Sequence, residues 1–360
     1  MKLKKFLFEN EAVVGINSPS QYLYIKIVRF VLAIVGAWPK KEIGEPEPRY
    51  QTIMINTFYF GVVNAALFGS ITYVYFHNSE LSFLEVGHMY IVILMSAVDV
   101  KYRDLAKEFL TKLHLFYFKD RSPYAILTHK KVHLICHLFS LWLLSQMLTG
   151  LSLFNLIPMY TNYSSGRYAS GGTQNATFEH SLYFPYPFNT STDINGYIVA
   201  CILHWLLSYF CATWFCMFDL FLSIMVFHLW GHFKILINSL DNFPKPSTQV
   251  SCTLEGGFIV NAEKFSKEEL VKVSRQLKEC IDYHREIIHR TVESEKLKHA
   301  VYGLPWECMD ANNRKVVAFF LMNVQEPVHI KALGVANVGV TSMAAILKTS
   351  MSYFTFLRSM

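Results

Sequence analysis

The sequence predicts an all-α protein: a polytopic bundle of membrane-spanning helices, N-terminus in the cytoplasm, with long helices projecting into a cytoplasmic platform. Three observations carry this expectation. The 360-residue chain is 52% apolar, 15% aromatic and only 17% charged, outside the usual composition of soluble domains. Long apolar runs recur at 51–77, 81–98, 132–160, 196–228 and 332–357, against a hydrocarbon core that takes ~20 residues of helix, so about five spans are expected. Lys and Arg are partitioned: eight precede residue 51, eight lie in 99–131, thirteen in 231–315, and one in 161–195. Positive charge marks the cytoplasmic side, which puts the N-terminus inside and the 161–195 loop outside. The net charge of +6 is thus a topology signal, and no nucleic-acid partner is needed to explain it.

In chain order, residues 1–50 form the cytoplasmic N-terminal region. MKLKKFLFENEAVV lacks the continuous apolar core and small-residue cleavage site of a secretory signal, so the first span directs insertion. The run from Tyr22 to Trp38 is interrupted by Lys26 and Arg29 and reads as an interfacial amphipathic helix. A four-span bundle follows over 51–230, with a short outside turn at 77–80. Charged and apolar residues then recur at helical spacing through 101–122, a pattern that Pro123 is expected to break. The 33-residue run at 196–228 would reach ~50 Å as a helix, too long for one crossing, and should project into the cytoplasm. That projection puts Asp219 near the inner headgroups, which favours a paired interface residue over an ion-pathway carboxylate. After the turn-rich DNFPKPSTQVSC, residues 261–299 are expected as one amphipathic helix with Leu270, Val273, Leu277, Ile281, His284 and Ile288 along one face. Together with the apolar-faced segment Arg314–Val324 it would complete a platform over 231–331. Residues 332–360 form the last span.

Three N-x-[S/T] sequons, at Asn162, Asn175 and Asn189, all lie in the outside loop, and glycosylation is expected there. The seven cysteines offer neither a disulfide framework nor a CxxC metal site. One other chemistry is weighed. His129, His133 and His137, then His228 and His232, recur four apart, with His284 and His289 following, as in the histidine boxes of membrane metalloenzymes. No HxxHH is present, and Lys130 and Lys131 make the first cluster electropositive, so no metal is expected. Ser/His/Asp arrangements, phosphate loops and metalloprotease motifs are likewise not evident. The chain does not read as an enzyme, and no cofactor is implied.

The stretch from Val301 to Met360 carries a resemblance. Its Trp306-x-Cys308 patch, the VQEP turn at Val324–Pro327 and the terminal LKTSxSYFTxLR at Leu347–Arg358 closely resemble the C-terminal region of insect odorant receptors, in particular their moth branch. CATWFCMFDLF in the fourth run and the inside N-terminus are similar to that family as well. The resemblance implies a subunit of an odorant-gated, nonselective cation channel in the plasma membrane of olfactory sensory neurons. Such subunits assemble as tetramers with a shared co-receptor subunit, the last helix lines the pore, and a small volatile odorant sits in the outer half of the bundle. Family members have seven spans, whereas residues 285–315 here hold no run of even ten apolar residues. Two spans are therefore absent between the long cytoplasmic helix and VYGLPWEC, as in a shortened form. A nonconducting truncated form that only assembles or misfolds is the alternative, with the metalloenzyme a distant third.

Site residues follow from that frame. On the last helix, at ~100° per residue, Asn337, Thr341, Lys348, Ser352 and Thr355 fall within ~60° of one another, a face turned from lipid. The resemblance points to Phe356 and Met360 for a hydrophobic gate, and with Thr349 and Ser352 they make the expected pore arc. Lys348 lies ~80° from Phe356, out of the cation path. Ligand-contact candidates are Phe83, His88 and Tyr90 in the second span; Met147, Gly150, Leu151 and Phe154 in the third; and Tyr197, His204, Trp205 and Ser208 in the fourth.

Overall fold

The computed structural model describes residues 16–34, 38, 40, 43–46, eight positions between 57 and 75, 106–168, 177–182, 184, 186–253, 259–288, 295–324, 330–332 and 336–338. The second expected span, the pore arc, Lys348, Asn175 and the candidates Phe83, His88 and Tyr90 lie outside the described residues. The chain divides into two compact units: residues 1–117 with 130–227, and residues 118–129 with 228–360.

In the first unit, helix α1 (Leu23–Ile34) buries Tyr24, Ile25, Val28, Val31 and Leu32. Lys26, Arg29 and Phe30 remain exposed, the two-sided pattern read from the sequence, and Arg29 pairs with Glu45 at 3.1 Å. Thr57, Gly61, Asn64, Phe68, Ile71 and Tyr75 are all helical. Their three- and four-residue spacing traces one exposed stripe, as a lipid-facing span would show. A π-helical turn (Phe109–Leu113) follows. His114 locks this region to α1. It is fully buried, takes the Phe116 amide on Nδ1 at 3.1 Å, and so carries its proton on Nε2, which donates to the Tyr24 hydroxyl at 2.6 Å. Tyr22 stacks on both the Tyr24 and His114 rings, and Phe109 meets Phe221 edge to face.

Two long helices dominate: α2 (Pro123–Ser164, 42 residues) and α3 (Ile194–Asp241, 48 residues). At 1.5 Å per residue they reach about 63 and about 72 Å, well beyond one hydrocarbon core. Among the described residues, three helical stretches are long and apolar enough to cross a membrane: Pro123–Ser164, Ile194–Thr213 and Asp219–Asp241. The last two share α3, and a continuous helix crosses once; the stretch that is more than half buried by protein, Asp219–Asp241, is the one least in need of lipid. Pro123 marks the expected break, since the 3-10 helix Leu115–Arg121 stops just before it. It also opens α2, because an N1 residue needs no amide hydrogen, and the Ser122 hydroxyl caps the turn by accepting the Ala125 amide at 3.1 Å. Asp219 is exposed.

The second unit corrects the single helix expected over 261–299. Residues Thr248–Thr253 (β1) and Ile259–Lys264 (β2) pair antiparallel, Thr248 opposite Lys264 and Thr253 opposite Ile259. The β-branched, alternating TQVSCT and the glycine pair in the five-residue connection favour a hairpin over a helix. Helix α4 then runs only Lys267–Ile288. Its start is a capping box: the Ser266 hydroxyl accepts the Glu269 amide at 3.2 Å, and the Glu269 carboxylate accepts the Ser266 amide at 2.8 Å. A hydroxyl donated by Ser247 at 2.6 Å helps hold the Glu269 carboxyl below its ordinary pKa. The buried face is Val273, Leu277, Cys280, Tyr283, His284 and Ile287, so Leu270 and Ile281 sit at its margins.

Only residues 289–294 separate α4 from α5 (Glu295–Tyr302). A 3-10 turn at Trp306–Cys308 leads to α6 (Ala311–Asn323), which packs on α4 and α5 and buries Asn313, Val317 and Phe320. Across this face His284 meets Phe320 edge to face, centroids 5.0 Å apart. Burial pushes that imidazole down to about 4. Nearby in the same unit Arg121 lies 4.2 Å over the Tyr283 ring, and the Tyr283 hydroxyl bonds His232 Nδ1 at 2.8 Å.

At the start of the expected last span, Ile330–Ala332 (β3) and Ala336–Val338 (β4) form a small antiparallel pair; residues 339–360 lie outside the described residues. Glycines at 334 and 339 each cost a helix about 1 kcal/mol, which weakens a helical start there.

Candidate functional site

The end of the first unit expected to face outside carries the site. Along α2, Met147, Leu151, Asn155 and Asn162 are buried; along α3, Tyr197, Ala200 and His204 are. Both stripes repeat at about one helical turn, because each helix turns one side inward. Asn155 ties the two helices together: its amide donates to the Ser208 hydroxyl at 3.0 Å, and its carbonyl oxygen accepts the Ser181 hydroxyl at 3.0 Å. Ser208 in turn lies on the His204 carbonyl one turn earlier.

The loop after α2 folds over this end. Asn162 is the pin. Its Nδ2 donates to the Glu179 carbonyl and to the Tyr197 hydroxyl, both at 2.9 Å, while its Oδ1 accepts the Glu179 amide at 2.8 Å and Arg167 Nη1 at 3.0 Å. Arg167 also pairs with Glu179 at 3.2 Å. Phe178 stacks on Tyr197 with centroids 4.6 Å apart. The chain returns to α3 through a turn at Asn189, whose carbonyl presses on Gly196; a Cβ there would come within 2.0 Å of it.

Beneath the loop an aromatic group surrounds His204, which is 1% exposed. The His180 ring meets it edge to face at 5.5 Å, the Tyr186 ring lies at 6.0 Å and Phe184 at 6.4 Å. His180 is oriented by donating Nε2–H to the Thr190 carbonyl at 3.1 Å. Burial holds its pKa below, and that of Tyr186 above, the ordinary value. Neither ring nitrogen of His204 nor the Tyr186 hydroxyl has a hydrogen-bond partner among the described residues. Such an enclosure, apolar and aromatic with a few polar atoms, suits a small organic ligand.

The expected ligand residues divide. Met147, Leu151, Tyr197 and His204 are buried at this end, and Trp205 and Ser208 are partly so. Gly150 and Phe154 are exposed, since they lie about 100° from Leu151 and Asn155 on the same helix. His180, Phe184 and Tyr186 were not found from the sequence; their alternation in a Pro-rich outside loop, HSLYFPYPF, was the only available signal. The sequons also divide. The Nδ2 of Asn162, the atom a glycan would take, is buried and doubly engaged, so that site is a structural one. Asn189 is exposed, its Oδ1 accepting the Ser191 and Thr192 amides. Among the described residues no group of His, Cys, Asp or Glu could hold a metal ion.

Comparison with known proteins adds the following. The family model described as 7tm odorant receptor matches residues 76–291 and 289–351, two pieces that meet where α4 gives way to α5. No curated protein matches the chain. The fold is similar to the insect olfactory receptor OR5 from Machilis hrabei in complex with eugenol, with a TM-score of 0.60 at 14% identity over 93% of this chain and 97% of that one. The structure of OR5 described without eugenol is similar to the same extent, with a TM-score of 0.58 and the same identity and coverage.

Proposed function

The chain belongs to the 7tm odorant receptor family, and from that premise we propose that it is the ligand-binding subunit of an odorant-gated, nonselective cation channel in the plasma membrane of olfactory sensory neurons. The observation that carries the ligand-binding part is the enclosure around His204 beneath the loop pinned by Asn162. The similar OR5 is described in complex with eugenol, a small aromatic volatile, which agrees with a ligand of that size here. No catalytic step is part of this reading. Binding that is tighter to the open state than to the closed state shifts the gate equilibrium by the ratio of the two affinities. A shared co-receptor subunit completes the heterotetramer, and Thr349, Ser352, Phe356 and Met360 line its pore, where an apolar constriction gates by dewetting.

Coexpression with the co-receptor subunit and recording of odorant-evoked current tests this. Phe356→Ala or Met360→Ala should change conductance or leak; unchanged currents remove those residues from the gate. A second reading has its own observation. With only residues 289–294 between α4 and α5 and the family match arriving in two pieces, this is a shortened form that lacks two of seven spans. Such a form assembles with full-length subunits without conducting. Robust odorant-evoked current with the co-receptor alone rules that out.

A further inference from the structure

The ligand pocket reading leaves the chemistry of the odorant open, and the inside of the pocket narrows it. A buried polar group without a partner costs free energy, and proteins leave few of them. Here two adjoin. His204 is 1% exposed with both ring nitrogens unmet, and the buried Tyr186 hydroxyl is unmet as well. Their rings are 6.0 Å apart, within reach of one small functional group. A neutral imidazole offers one N–H and one lone pair, and a phenol can donate or accept. Around them the His180 and Phe184 rings supply faces and edges, so the surroundings of the two groups are largely aromatic.

Resting on the reading of this enclosure as the ligand site, we propose that the odorant carries an oxygen function, a hydroxyl, carbonyl or ester, that hydrogen-bonds His204 and Tyr186. Hydrocarbon volatiles of the same length and shape are poor ligands, because they leave the imidazole and phenol dry and unpaired. Sites that hydrogen-bond a ligand discriminate strongly against analogues lacking the group, whereas an apolar pocket discriminates weakly between isosteres. His204 and Tyr186 are therefore the specificity-determining pair, and the surrounding rings set size and shape.

The test uses the full chain in lipid nanodiscs and reads ligand-dependent melting temperature, which requires no conduction. The probes are C8 to C12 1-alkanols, alkanals and alkyl acetates, with alkanes of matched length. In the wild type the oxygenated probes should raise the melting temperature at concentrations about tenfold or more below the alkanes. His204→Leu and Tyr186→Phe should shrink that ratio towards one, and His204→Gln, which keeps a donor and an acceptor, should restore part of it. Equal effects of alkanes and oxygenates on the wild type, or an unchanged ratio in His204→Leu and Tyr186→Phe, overturn the inference while the ligand-site reading stands. If neither series moves the melting temperature, the ligand-site reading itself fails, and the inference falls with it. The wild-type comparison needs no variant, so a substitution that fails to fold does not protect the proposal.

Discussion

Replacing Asn162 separates its structural role from its sequon. The side chain makes four hydrogen bonds of 2.8 to 3.0 Å and is fully buried. Each buried hydrogen bond contributes about 1 kcal/mol net, and a stranded partner costs about 1 to 3 kcal/mol. Asn162→Ala leaves the Glu179 amide and carbonyl and the Tyr197 hydroxyl without their shared partner. A loss of about 3 to 5 kcal/mol follows, at the upper end for point substitutions. Asn162→Asp keeps the acceptor and loses both Nδ2 donors, so it should fall between. Ser164→Ala destroys the sequon but leaves Asn162 in place; its hydroxyl bonds only the exposed Thr161 carbonyl, and stability should change by less than about 0.5 kcal/mol. Melting of nanodisc-embedded variants measures the first effect, and gel mobility with and without endoglycosidase measures the second. The reasoning is refuted if Ser164→Ala runs faster by one glycan. It is equally refuted if Asn162→Ala melts like the wild type, because the loop would then not depend on the Asn162 network.

Gly196→Ala forces a methyl into the Asn189 carbonyl; backbone must move, so about 1 to 3 kcal/mol of stability and much of the surface expression should be lost, measurable by melting and by surface labelling. Asn189 should carry glycan, and Asn189→Gln should increase mobility on a gel, provided that endoglycosidase shifts the parent band. His284 makes the second unit sensitive to acid. Its folded pKa of about 4 lies below the ordinary value near 6.5, so between those values the unfolded chain binds the extra proton. Stability is then complete above about pH 6.5 and falls as pH drops towards 4, by about 2 kcal/mol at pH 5. Denaturation at pH 7 and pH 5 should show this slope in the wild type and a reduced one in His284→Leu; equal slopes would refute the assignment.

How much of this was legible depends on the range of the interaction. Apolar runs and the Lys/Arg asymmetry are local signals, and α1, α2, α3 and the α4 stripe followed from them. The stripe was displaced towards Cys280, Tyr283 and Ile287 because the docking of α6 decides which flank of an amphipathic helix is deepest. Pro123 ends the helical pattern before it as expected, but that a new helix opens on it shows only once the Ser122 cap is placed. The hairpin at 248–264 escaped because a strand pair depends on a partner across a turn.

The amino-acid sequence by itself determined the membrane class, the orientation expectation, the two long helices and the family, since burial periodicity, charge and motif are properties of short segments. Only the tertiary structure decided that Asn162 is a buried pin, that Gly150 and Phe154 face outward, and that His180, Phe184 and Tyr186 meet His204. Those residues lie far apart along the chain or on a loop without periodicity, and hydrogen bonds among them exist only once the loop has closed over the ends of α2 and α3.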